Sequence, residues 1–426
     1  MSIGMNMTKK IKILTLSDHP LYPTGVGIQT KNMIEAVLAS GKFSVVSLAG
    51  ASRHANTQPQ ISEEYGEDWK IFPVEGYGNQ QVLRSILRTE RPDVLWMMTD
   101  PRYWEFLWQI EDEIRPLMPI VYYHVWDNYP TPTFNKRFYD SNDYIVTISE
   151  LTKNVVNQVS PDVKTFHIPH AVDTSVYKKV SDADVARFRQ QHLGADYDNK
   201  TIFFWNNRNT KRKQSASLVW WFKEFLDEVG HDKACLIMHT NPKEPTGPDL
   251  EYVTNAAGMD NGQVLLSPAK YEPERMAMLY NMSDCTINIS DAEGFGLSTL
   301  ESLSCETPII VTKTGGLQEQ VTDGEQYFGI GIDPASRAIV GSQKVPFIFE
   351  DRISKEDFIS SLKTMINLTE EERNNLGTAG RAHVLNNFSF ESYKNDWVNT
   401  LTTIHEQEGS WGTRKGHKSW HLTEMK

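Results

Sequence analysis

The segment that decides the fold reads Glu293-Gly-Phe-Gly-Leu-Ser-Thr-Leu-Glu301, and a second glycine pair follows at Gly315-Gly316. An apolar stretch with the length of a buried strand, residues 285–290, precedes this segment. The glycines therefore predict a turn from a strand into a helix, whose free backbone N–H groups form an anion site at the carboxyl edge of a sheet. Gly294 and Gly296 lack side chains, so the phosphates of a ligand can approach the main chain closely.

Two carboxylates flank this turn. Glu293 stands at its start, and Glu301 lies about two turns into the helix. A carboxylate beside a phosphate site is repelled by the phosphate, but it accepts hydrogen bonds from neutral hydroxyl groups. The pair therefore suits a ligand with phosphates in the middle and hydroxyl-bearing rings on both sides.

The rest of the chain alternates short apolar runs with longer stretches of helical spacing, which is typical of parallel α/β units. A polar stretch at 181–199 separates two series of such units, so the sequence predicts an α/β fold with two Rossmann-like, doubly wound domains. A helix is predicted at 29–39, after the first strand. The predicted strands are 11–16, 44–49, 94–98, 120–124 and 144–148 in the first series, and 201–205, 234–239, 264–267, 285–290, 308–312 and 327–332 in the second.

The composition excludes several classes of protein. The 426 residues are 39% apolar and 23% charged, which provides for large buried cores and does not fit a collagenous, coiled-coil or mainly disordered chain. The formal net charge is -12, whereas nucleic-acid-binding proteins usually carry the opposite sign. We therefore expect no nucleic acid as the principal partner.

Cysteine usage and apolar runs bear on the location of the protein. Cys235, Cys285 and Cys305 are an odd number without C-x-x-C spacing, which is typical of a reducing compartment. The apolar stretch after Lys12 is too short for the core of a signal peptide, and no run approaches the roughly 20 residues of a transmembrane helix. A cytoplasmic location is therefore expected.

The central motif resembles that of the retaining glycosyltransferases of family 4, which have the GT-B fold and an E-x7-E motif matching Glu293 to Glu301. The resemblance extends over Thr307-Pro308, the second glycine pair and Glu319, and it covers most of the chain. It implies that the two Rossmann-like domains face each other across a cleft, with the donor mainly on the second domain and the acceptor mainly on the first.

The same resemblance implies a domain arrangement. Segments 145–149 and 168–173 look like the stretches that close the first domain, and Phe388-Ser-Phe390 resembles the entry into a helix that crosses back onto it. In the tail, Trp411 and Trp420 stand among basic residues, which leaves an acceptor or membrane contact as the alternative to disorder. We expect an acceptor-side domain over 1–180, a nucleotide-sugar-binding domain over 195–385, the returning helix over 386–408 and a flexible tail over 409–426.

The resemblance also implies roles for the central motif. In this family the second glutamate, here Glu301, typically holds the ribose hydroxyls of a nucleotide sugar, and the first, here Glu293, contacts the transferred sugar. A motif that only packs two domains together is the alternative. The turn between the glutamates is implied to bind the donor through Gly294, Phe295, Gly296 and Leu297.

A basic cluster, Asn207-Arg208-Asn-Thr-Lys211-Arg212-Lys213, follows the first predicted strand of the second domain. Bond cleavage places developing charge on the diphosphate oxygens, and positive side chains stabilise that charge. The cluster resembles the Arg and Lys pair of the family, with Arg208 and Lys213 as catalytic candidates. Asn207 stands where the family has a glycine, and no glycine follows Lys213. Lys211 or Arg212 is therefore an alternative to Lys213 as the phosphate-binding residue, and a solvated loop without a binding role is the other alternative.

In the first domain, Tyr22-Pro-Thr-Gly25-Val-Gly27 follows the first predicted strand and opens a helix. The chain there has no G-x-G-x-x-G pattern and no acidic residue ending the second strand, so a dinucleotide site is not supported. The resemblance implies that Gly25 and Gly27 touch the donor diphosphate or the acceptor, and a structural turn is the alternative.

His124 ends the predicted strand 120–124. The resembling family places a histidine at a matching strand end beside the anomeric region of the sugar, which implies a catalytic role for His124. The alternative is a hydrogen-bonded structural histidine.

No metal site is expected. Asp182-Ala-Asp184 has the D-x-D spacing of metal-dependent sugar transferases, but it precedes a helical pattern and is typical of a helix cap. No zinc-ligand spacing occurs among the 12 histidines. We expect neither metal nor cofactor, with a nucleoside-diphosphate sugar as co-substrate.

The sequence and its resemblance together predict a metal-independent glycosyltransferase that moves a sugar from a nucleoside-diphosphate sugar to a hydroxyl acceptor with retention of configuration. The attack is expected on the front face of the sugar, because no Asp or Glu is an evident nucleophile on the first domain. The acceptor is left open among carbohydrates, lipid-linked compounds and other hydroxyl compounds, as are peripheral membrane contact and oligomeric state. The alternatives are an epimerase or phosphorylase on the same fold, or a non-catalytic nucleotide-sugar-binding subunit.

Overall fold

Two parallel β-sheets organise the chain. The computed structural model describes residues 9–52, 58–415 and 417, and these residues form two units with one such sheet each. Unit 1 runs to Trp126, takes in Thr131–Pro169 and resumes at Glu391. Unit 2 comprises Asp127–Pro130 and His170–Phe390.

Eight strands form the sheet of unit 1: β1 Ile11–Asp18, β2 Phe43–Ser52, β3 Gln60–Ser62, β4 Gly66–Glu75, β5 Val94–Met98, β6 Ile120–His124, β7 Tyr144–Thr147 and β8 Lys164–His167. Their order is β3-β4-β2-β1-β5-β6-β7-β8, and all neighbours are parallel except β3 and β4. The central strands β5 and β6 are buried throughout, as expected of a parallel sheet covered on both faces. The connecting helices are α1 Gly25–Ala39, α2 Gln80–Glu90, α3 Glu105–Trp108, α4 Glu111–Ile114, α5 Lys136–Asp140 and α6 Glu150–Val159.

Six strands form the parallel sheet of unit 2: β9 Thr201–Asn206, β10 Ala234–His239, β11 Val264–Ser267, β12 Cys285–Asn288, β13 Ile309–Thr312 and β14 Gly329–Ile332. Their order is β11-β10-β9-β12-β13-β14. Strands β10 and β11 are added on one side of β9, and β12 to β14 are added on its other side, so the order of the strands switches between β9 and β12. In open α/β sheets, ligands bind outside the carboxyl ends of the strands at such a switch point.

The remaining elements of unit 2 cover this sheet or extend from it. An antiparallel hairpin joins β15 Ser336–Val340 to β16 Ile348–Arg352, apart from the parallel sheet. The helices are α7 Asp182–His192, α8 Ser215–Val229, α9 Leu250–Ala256, α10 Pro273–Asn281, α11 Leu297–Ser304, α12 Leu317–Val321, α13 Lys355–Asn367 and α14 Glu370–Asn387. The predicted fold class of two Rossmann-like domains is confirmed, and all eleven predicted strands are present.

The division of the chain differs from the expected domains 1–180 and 195–385. Unit 1 reaches only Pro169, because β8 completes its sheet and Val172 then pairs with Ser389 inside unit 2. The short segment Asp127–Pro130 also packs with unit 2. A last helix, α15 Phe390–Glu408, lies in unit 1 from Glu391 onward, over nearly the span expected for the returning helix 386–408.

The side chain of Trp397 anchors α15 to unit 1. It is fully buried, and its ring lies 5.9 Å from that of Trp96 and 4.9 Å from that of Tyr123, measured between centroids.

The chain after α15 is packed up to Lys415, whereas a flexible tail was expected from 409. The indole N–H of Trp411 donates to the carbonyl of Pro92 at 2.8 Å. The Arg414 guanidinium is 4% exposed and pairs with Asp143 at 3.0 Å and with Glu408 at 2.8 Å. These bonds hold the segment on unit 1, and the expectation for Trp420 and the rest of 418–426 concerns residues outside the described ones. No helix within the described ranges is long and apolar enough to cross a membrane.

Candidate active site

The loops that follow β9 and β12 meet at the switch point of unit 2. Lys213 ends the 3-10 turn Lys211–Lys213 after β9, and Glu293 follows β12. The Nζ atom of Lys213 forms an ion pair with Oε2 of Glu293, and both residues are at least nine-tenths buried. The backbone of the two loops is joined as well, because the N–H of Asp291 donates to the carbonyl of Arg212 at 2.8 Å.

The electrostatics of this pair favour the ionised glutamate. Burial opposes the charge on Glu293, but Lys213 and Arg212 outweigh it and lower the pKa of Glu293 to about 2. Burial likewise lowers the pKa of Lys213, and the Glu293 charge acts against that shift. Asn288 adds a hydrogen bond from its Nδ2 to Oε2 of Glu293 at 3.4 Å. A carboxylate and an ammonium group thus stay charged inside the domain.

The structure distinguishes the members of the basic cluster. Lys213 is the buried lysine, whereas Lys211 is exposed. Arg212 turns its guanidinium to the carbonyl of Ala292. Arg208 is exposed over 69% of its side chain and pairs with Glu244 at 2.7 Å. Of the two residues expected to hold phosphate, Lys213 lies at the switch point beside Glu293 and Arg208 lies nearer the surface.

The two glycine turns pack against each other. Gly296 has a φ of +93°, and it caps α11, which starts at Leu297. Gly315 has a φ of +50°, and a Cβ there would lie 1.7 Å from the carbonyl oxygen of Glu293. The N–H of Gly316 donates to that same oxygen at 3.1 Å. Only glycine fits at Gly315, because both its φ and its close approach to Glu293 exclude a side chain.

A buried glutamine fixes the first turn. Nε2 of Gln320 donates to the carbonyl of Phe295 at 2.7 Å and to that of Gly296 at 3.1 Å. Its Oε1 accepts from Thr299 at 2.6 Å. The Gln320 side chain thereby satisfies the carbonyls of the turn and fixes its conformation. Phe295 is buried, with its ring 5.1 Å from that of His170.

Glu301 lies in a separate hydrogen-bonded group on α11. The Tyr280 hydroxyl donates to Oε2 of Glu301 at 2.7 Å and accepts from Nδ2 of Asn206 at 2.8 Å. Burial raises the pKa of Glu301 to about 7, although hydrogen bonds from Tyr280 and Tyr177 act in the opposite direction. Near neutral pH this carboxyl therefore exists in both protonation states.

In unit 1, the loop with Gly25 and Gly27 follows β1 and begins α1. Thr24 caps the helix by accepting from the N–H of Gly27 at 2.9 Å, and it donates to Asp18 at 2.8 Å. A Cβ on Gly27 would lie 2.7 Å from the carbonyl oxygen of Tyr22, whereas the same position on Gly25 has open space. Gly27 thus serves the turn itself, and Gly25 leaves room for an approaching group.

His124 ends β6 in unit 1 and is fully buried. Its Nε2 lies 2.6 Å from the Tyr139 hydroxyl, and its Nδ1 has no hydrogen-bond partner among the described residues. Burial and the Arg102 charge lower its pKa to about 3. The imidazole is therefore neutral at physiological pH.

The Asp182-Ala-Asp184 segment starts α7. Its cap is Ser181, which accepts from the N–H of Asp184 at 3.2 Å, and Arg187 pairs with Asp184 at 3.1 Å. Within the described part of the chain, no group of three His, Cys, Asp or Glu side chains is placed to hold a metal ion. Glu319 stands on α12, and its backbone carbonyl accepts from His383 at 2.8 Å.

Sequence reasoning missed four residues of this site. Tyr280 donates to Glu301, Asn206 donates to the Tyr280 hydroxyl, Gln320 fixes the glycine turn, and Asp127 lies near Gly315. Tyr280 stands inside a helical pattern and Asn206 at a strand end, so neither carries a spacing signal. For Gln320, the sequence offered only its position next to Glu319 in the second glycine motif.

Part of the chain is similar in sequence to known proteins. Residues 260–383 match the family model of glycosyl transferases group 1. A D-inositol 3-phosphate glycosyltransferase from Acidothermus cellulolyticus is 36% identical over 175 residues, which are 40% of this chain and 38% of that protein. The region that matches covers less than half the length of this relative and of two further curated relatives, an N-acetyl-alpha-D-glucosaminyl L-malate synthase from Bacillus anthracis and a D-inositol 3-phosphate glycosyltransferase from Corynebacterium jeikeium.

Solved structures resemble nearly the whole chain. Sucrose-phosphate synthase from Thermosynechococcus elongatus has a TM-score of 0.74 at 15% identity, over 93% of this chain and all of that one (100%). HepE from Anabaena, in complex with UDP and glucose, has a TM-score of 0.67 at 17% identity, over 92% of this chain and 100% of that one. At such low identity the likeness establishes the fold alone.

The two units therefore have the GT-B fold of glycosyltransferases. Within unit 2, it is the segment 260–383 that is similar to the glycosyl transferases group 1. The resemblance to the family 4 enzymes that the E-x7-E motif indicated is confirmed.

The buried pair makes a prediction about stability. Replacing Lys213 with Met leaves the Glu293 carboxylate buried without its counter-ion, which should lower the free energy of unfolding by about 3–5 kcal/mol. The double variant Lys213→Met/Glu293→Gln should lose much less of the free energy of unfolding, because it leaves no unpaired buried charge. Because the pKa of Glu293 is depressed, its contribution should be present above pH ~4.5 and lost as the pH falls toward 2.

Urea denaturation measures these losses. Lys211→Met is the matched control, because Lys211 lies in the same turn but is exposed. Equal effects of Lys211→Met and Lys213→Met would contradict a stabilising pair.

Proposed function

We propose that this protein is a glycosyltransferase that moves a sugar from a nucleoside-diphosphate sugar to a hydroxyl acceptor, with retention of configuration and without a required metal ion. The observation that carries the proposal is the Lys213–Glu293 pair, held between the glycine turn before α11 and the second glycine turn. Lys213 supplies positive charge, and the N-terminus of α11 supplies backbone N–H groups beside it.

The diphosphate would bind at this positive end. Lys213 and Arg212 contribute two cationic side chains there, and Arg208 adds a third if it leaves Glu244 on donor binding. Because Lys213 and Arg212 are fixed before the reaction, they can stabilise charge that develops on the leaving diphosphate. In this arrangement the departing phosphate also takes the proton of the acceptor hydroxyl.

The two glutamates would hold the two rings of the donor. Glu301 would accept hydrogen bonds from the ribose hydroxyls through Oε1, since its Oε2 already accepts from Tyr280. Glu293 would face the transferred sugar while Lys213 holds its Oε2. In unit 1, Gly25, Gly27 and His124 remain proposed contacts of the donor or acceptor.

Relatives support the class of donor and acceptor. HepE was solved with UDP and glucose, and the Acidothermus relative is named for transfer to D-inositol 3-phosphate. A hydroxyl acceptor fits the name of the Acidothermus relative, because inositol phosphate carries free hydroxyl groups. The three cysteines are buried free thiols, which supports our inference of a reducing, cytoplasmic location.

The activity is tested with a panel of donors. UDP, GDP and ADP should be ranked by thermal shift, since a ligand that binds only the folded state raises the melting temperature. The sugar of the best nucleotide should then be transferred to a panel of hydroxyl acceptors. We expect NMR of the first-formed product to show the anomeric configuration of the donor, and the rate to survive excess EDTA.

Other outcomes identify other functions. An inverted product would contradict retention, and loss of activity to EDTA with recovery on Mn²⁺ would contradict metal independence. Epimerised sugar or a sugar phosphate as the product would indicate the epimerase or phosphorylase alternative. Binding without turnover of any donor would indicate a non-catalytic subunit.

The proposed ribose contact predicts a pH dependence. The pKa of Glu301 is about 7, and only its ionised form offers a full set of acceptors to two hydroxyls. Affinity for the nucleoside diphosphate should therefore rise by up to about tenfold between pH 6 and pH 8. Calorimetry of the protein and of Glu301→Gln checks this, because titration of the nucleotide itself is common to both. A dependence that persists unchanged in Glu301→Gln would exclude Glu301 as its source.

A further inference from the structure

The hairpin β15–β16 lies outside the parallel sheet and contacts a loop of the site. The N–H of Asp351 donates to the carbonyl of Asp291 at 2.8 Å. The Arg352 guanidinium pairs with the Asp291 carboxylate at 3.2 Å, which also accepts from Gln214 at 2.6 Å. The hairpin is thereby fastened to the loop that carries Glu293.

The same hairpin holds the segment Asp127–Pro130. Nδ2 of Asn128 donates to the carbonyl of Phe349 at 2.9 Å, and the N–H of Phe349 donates to the carbonyl of Tyr129 at 2.5 Å. These bonds explain why four residues that follow β6 in the chain pack within unit 2.

Asp127 is thereby placed beside the glycine turns. A Cβ on Gly315 would lie 3.6 Å from the Cβ of Asp127 and 1.7 Å from the carbonyl oxygen of Glu293. Asp127 and the backbone of Glu293 thus approach Gly315 from the same side. The charges of Arg212, Glu293 and Lys213 all act on the Asp127 carboxyl.

The Asp127 carboxyl nevertheless has spare acceptor capacity. Among the described residues it forms no ion pair within 4.0 Å, and the hydrogen bond that it accepts comes from the backbone of Asp127 itself. Burial raises its pKa to about 6, although the Arg212 charge opposes the shift. The hairpin charges of Arg352, Glu350 and Asp351 act on Asp291 instead.

We propose that Asp127 is a third carboxylate of the donor site and accepts a hydrogen bond from a hydroxyl group of the transferred sugar. A carboxylate next to the phosphate-binding cations would repel phosphate, whereas a neutral hydroxyl is a suitable donor to it. The ribose end of the proposed donor lies at Glu301, so the sugar end is the part left near Asp127 and Glu293. This inference rests on the proposed function.

The test compares a nucleotide with its sugar. Calorimetry should give dissociation constants for UDP and UDP-glucose, GDP and GDP-mannose, and ADP and ADP-glucose, and the tightest pair is used. In Asp127→Ala we expect the nucleoside diphosphate to bind as before and the nucleotide sugar to bind roughly 10-fold or more weakly, which is the usual loss for a hydrogen bond to a charged group. Thermal denaturation confirms that each variant is folded.

A pH series separates contact from packing. In the unmodified protein, the preference for the nucleotide sugar over the nucleotide should rise as the pH increases through 6, because Asp127 then ionises. Asp127→Asn should lose this pH-dependent part of the preference, because an amide does not ionise. Asp284→Asn is the matched control, since burial raises the pKa of Asp284 as well, but this residue precedes β12 at the amino end of the strand and its carboxylate accepts from the N–H of Ile202 at 2.8 Å.

The outcomes are distinguishable. If the unmodified protein binds none of the nucleotides, the proposed function fails. If it binds a nucleotide and its sugar, and Asp127→Ala and Asp127→Asn keep the same preference at every pH, the role of Asp127 is overturned while the proposed function stands. Loss of the pH-dependent part of the preference in Asp284→Asn, with that part kept in Asp127→Asn, would also overturn it.

Discussion

The ion pair between Lys213 and Glu293 is the interaction on which the site depends. Each charge would be costly to bury alone, so the loops after β9 and β12 must meet for either side chain to be accommodated. The pairing also explains why both residues stand where the sheet order reverses, since only there do two loops diverge and leave room at the carboxyl edge. Replacing a buried ion pair with apolar residues of similar volume is often neutral or stabilising, so a pair of this kind is expected where side chains are retained for binding rather than for stability.

The second glycine turn follows from the same constraint. The Glu293 carbonyl must be satisfied while its side chain faces Lys213, and the N–H of Gly316 does this only because Gly315 has no Cβ. The side-chain amide of Gln320 then donates to the carbonyls of the first turn. The result is a rigid frame in which the backbone N–H groups before α11, the Lys213 ammonium and the Glu293 carboxylate have fixed positions. Preorganised groups of this kind stabilise developing charge without rearranging during the reaction.

Much of the frame was predictable, because it depends on local pattern. Buried parallel strands are continuous apolar runs, so β9 and β12 were evident from sequence, and the E-x7-E spacing located both glutamates. Strands such as β4, β15 and β16 were missed because polar and charged residues interrupt them. The neighbours of Glu301 and the place of Asp127 were also missed. Tertiary packing brings Asn206, Tyr280 and Asp127 to the site. One of the hydrogen bonds that hold Asp127–Pro130 on the hairpin joins Asn128 to Phe349, which are 221 positions apart in the sequence.

The central claim is that the switch point of unit 2 binds a nucleoside diphosphate. A crystal structure of the protein soaked with the nucleotide that gives the largest thermal shift tests it most directly. We expect the diphosphate beside Lys213 and the backbone N–H groups at the start of α11, with the ribose hydroxyls on Glu301. A nucleotide bound elsewhere, with no contact to Lys213 or Glu301, would contradict the account.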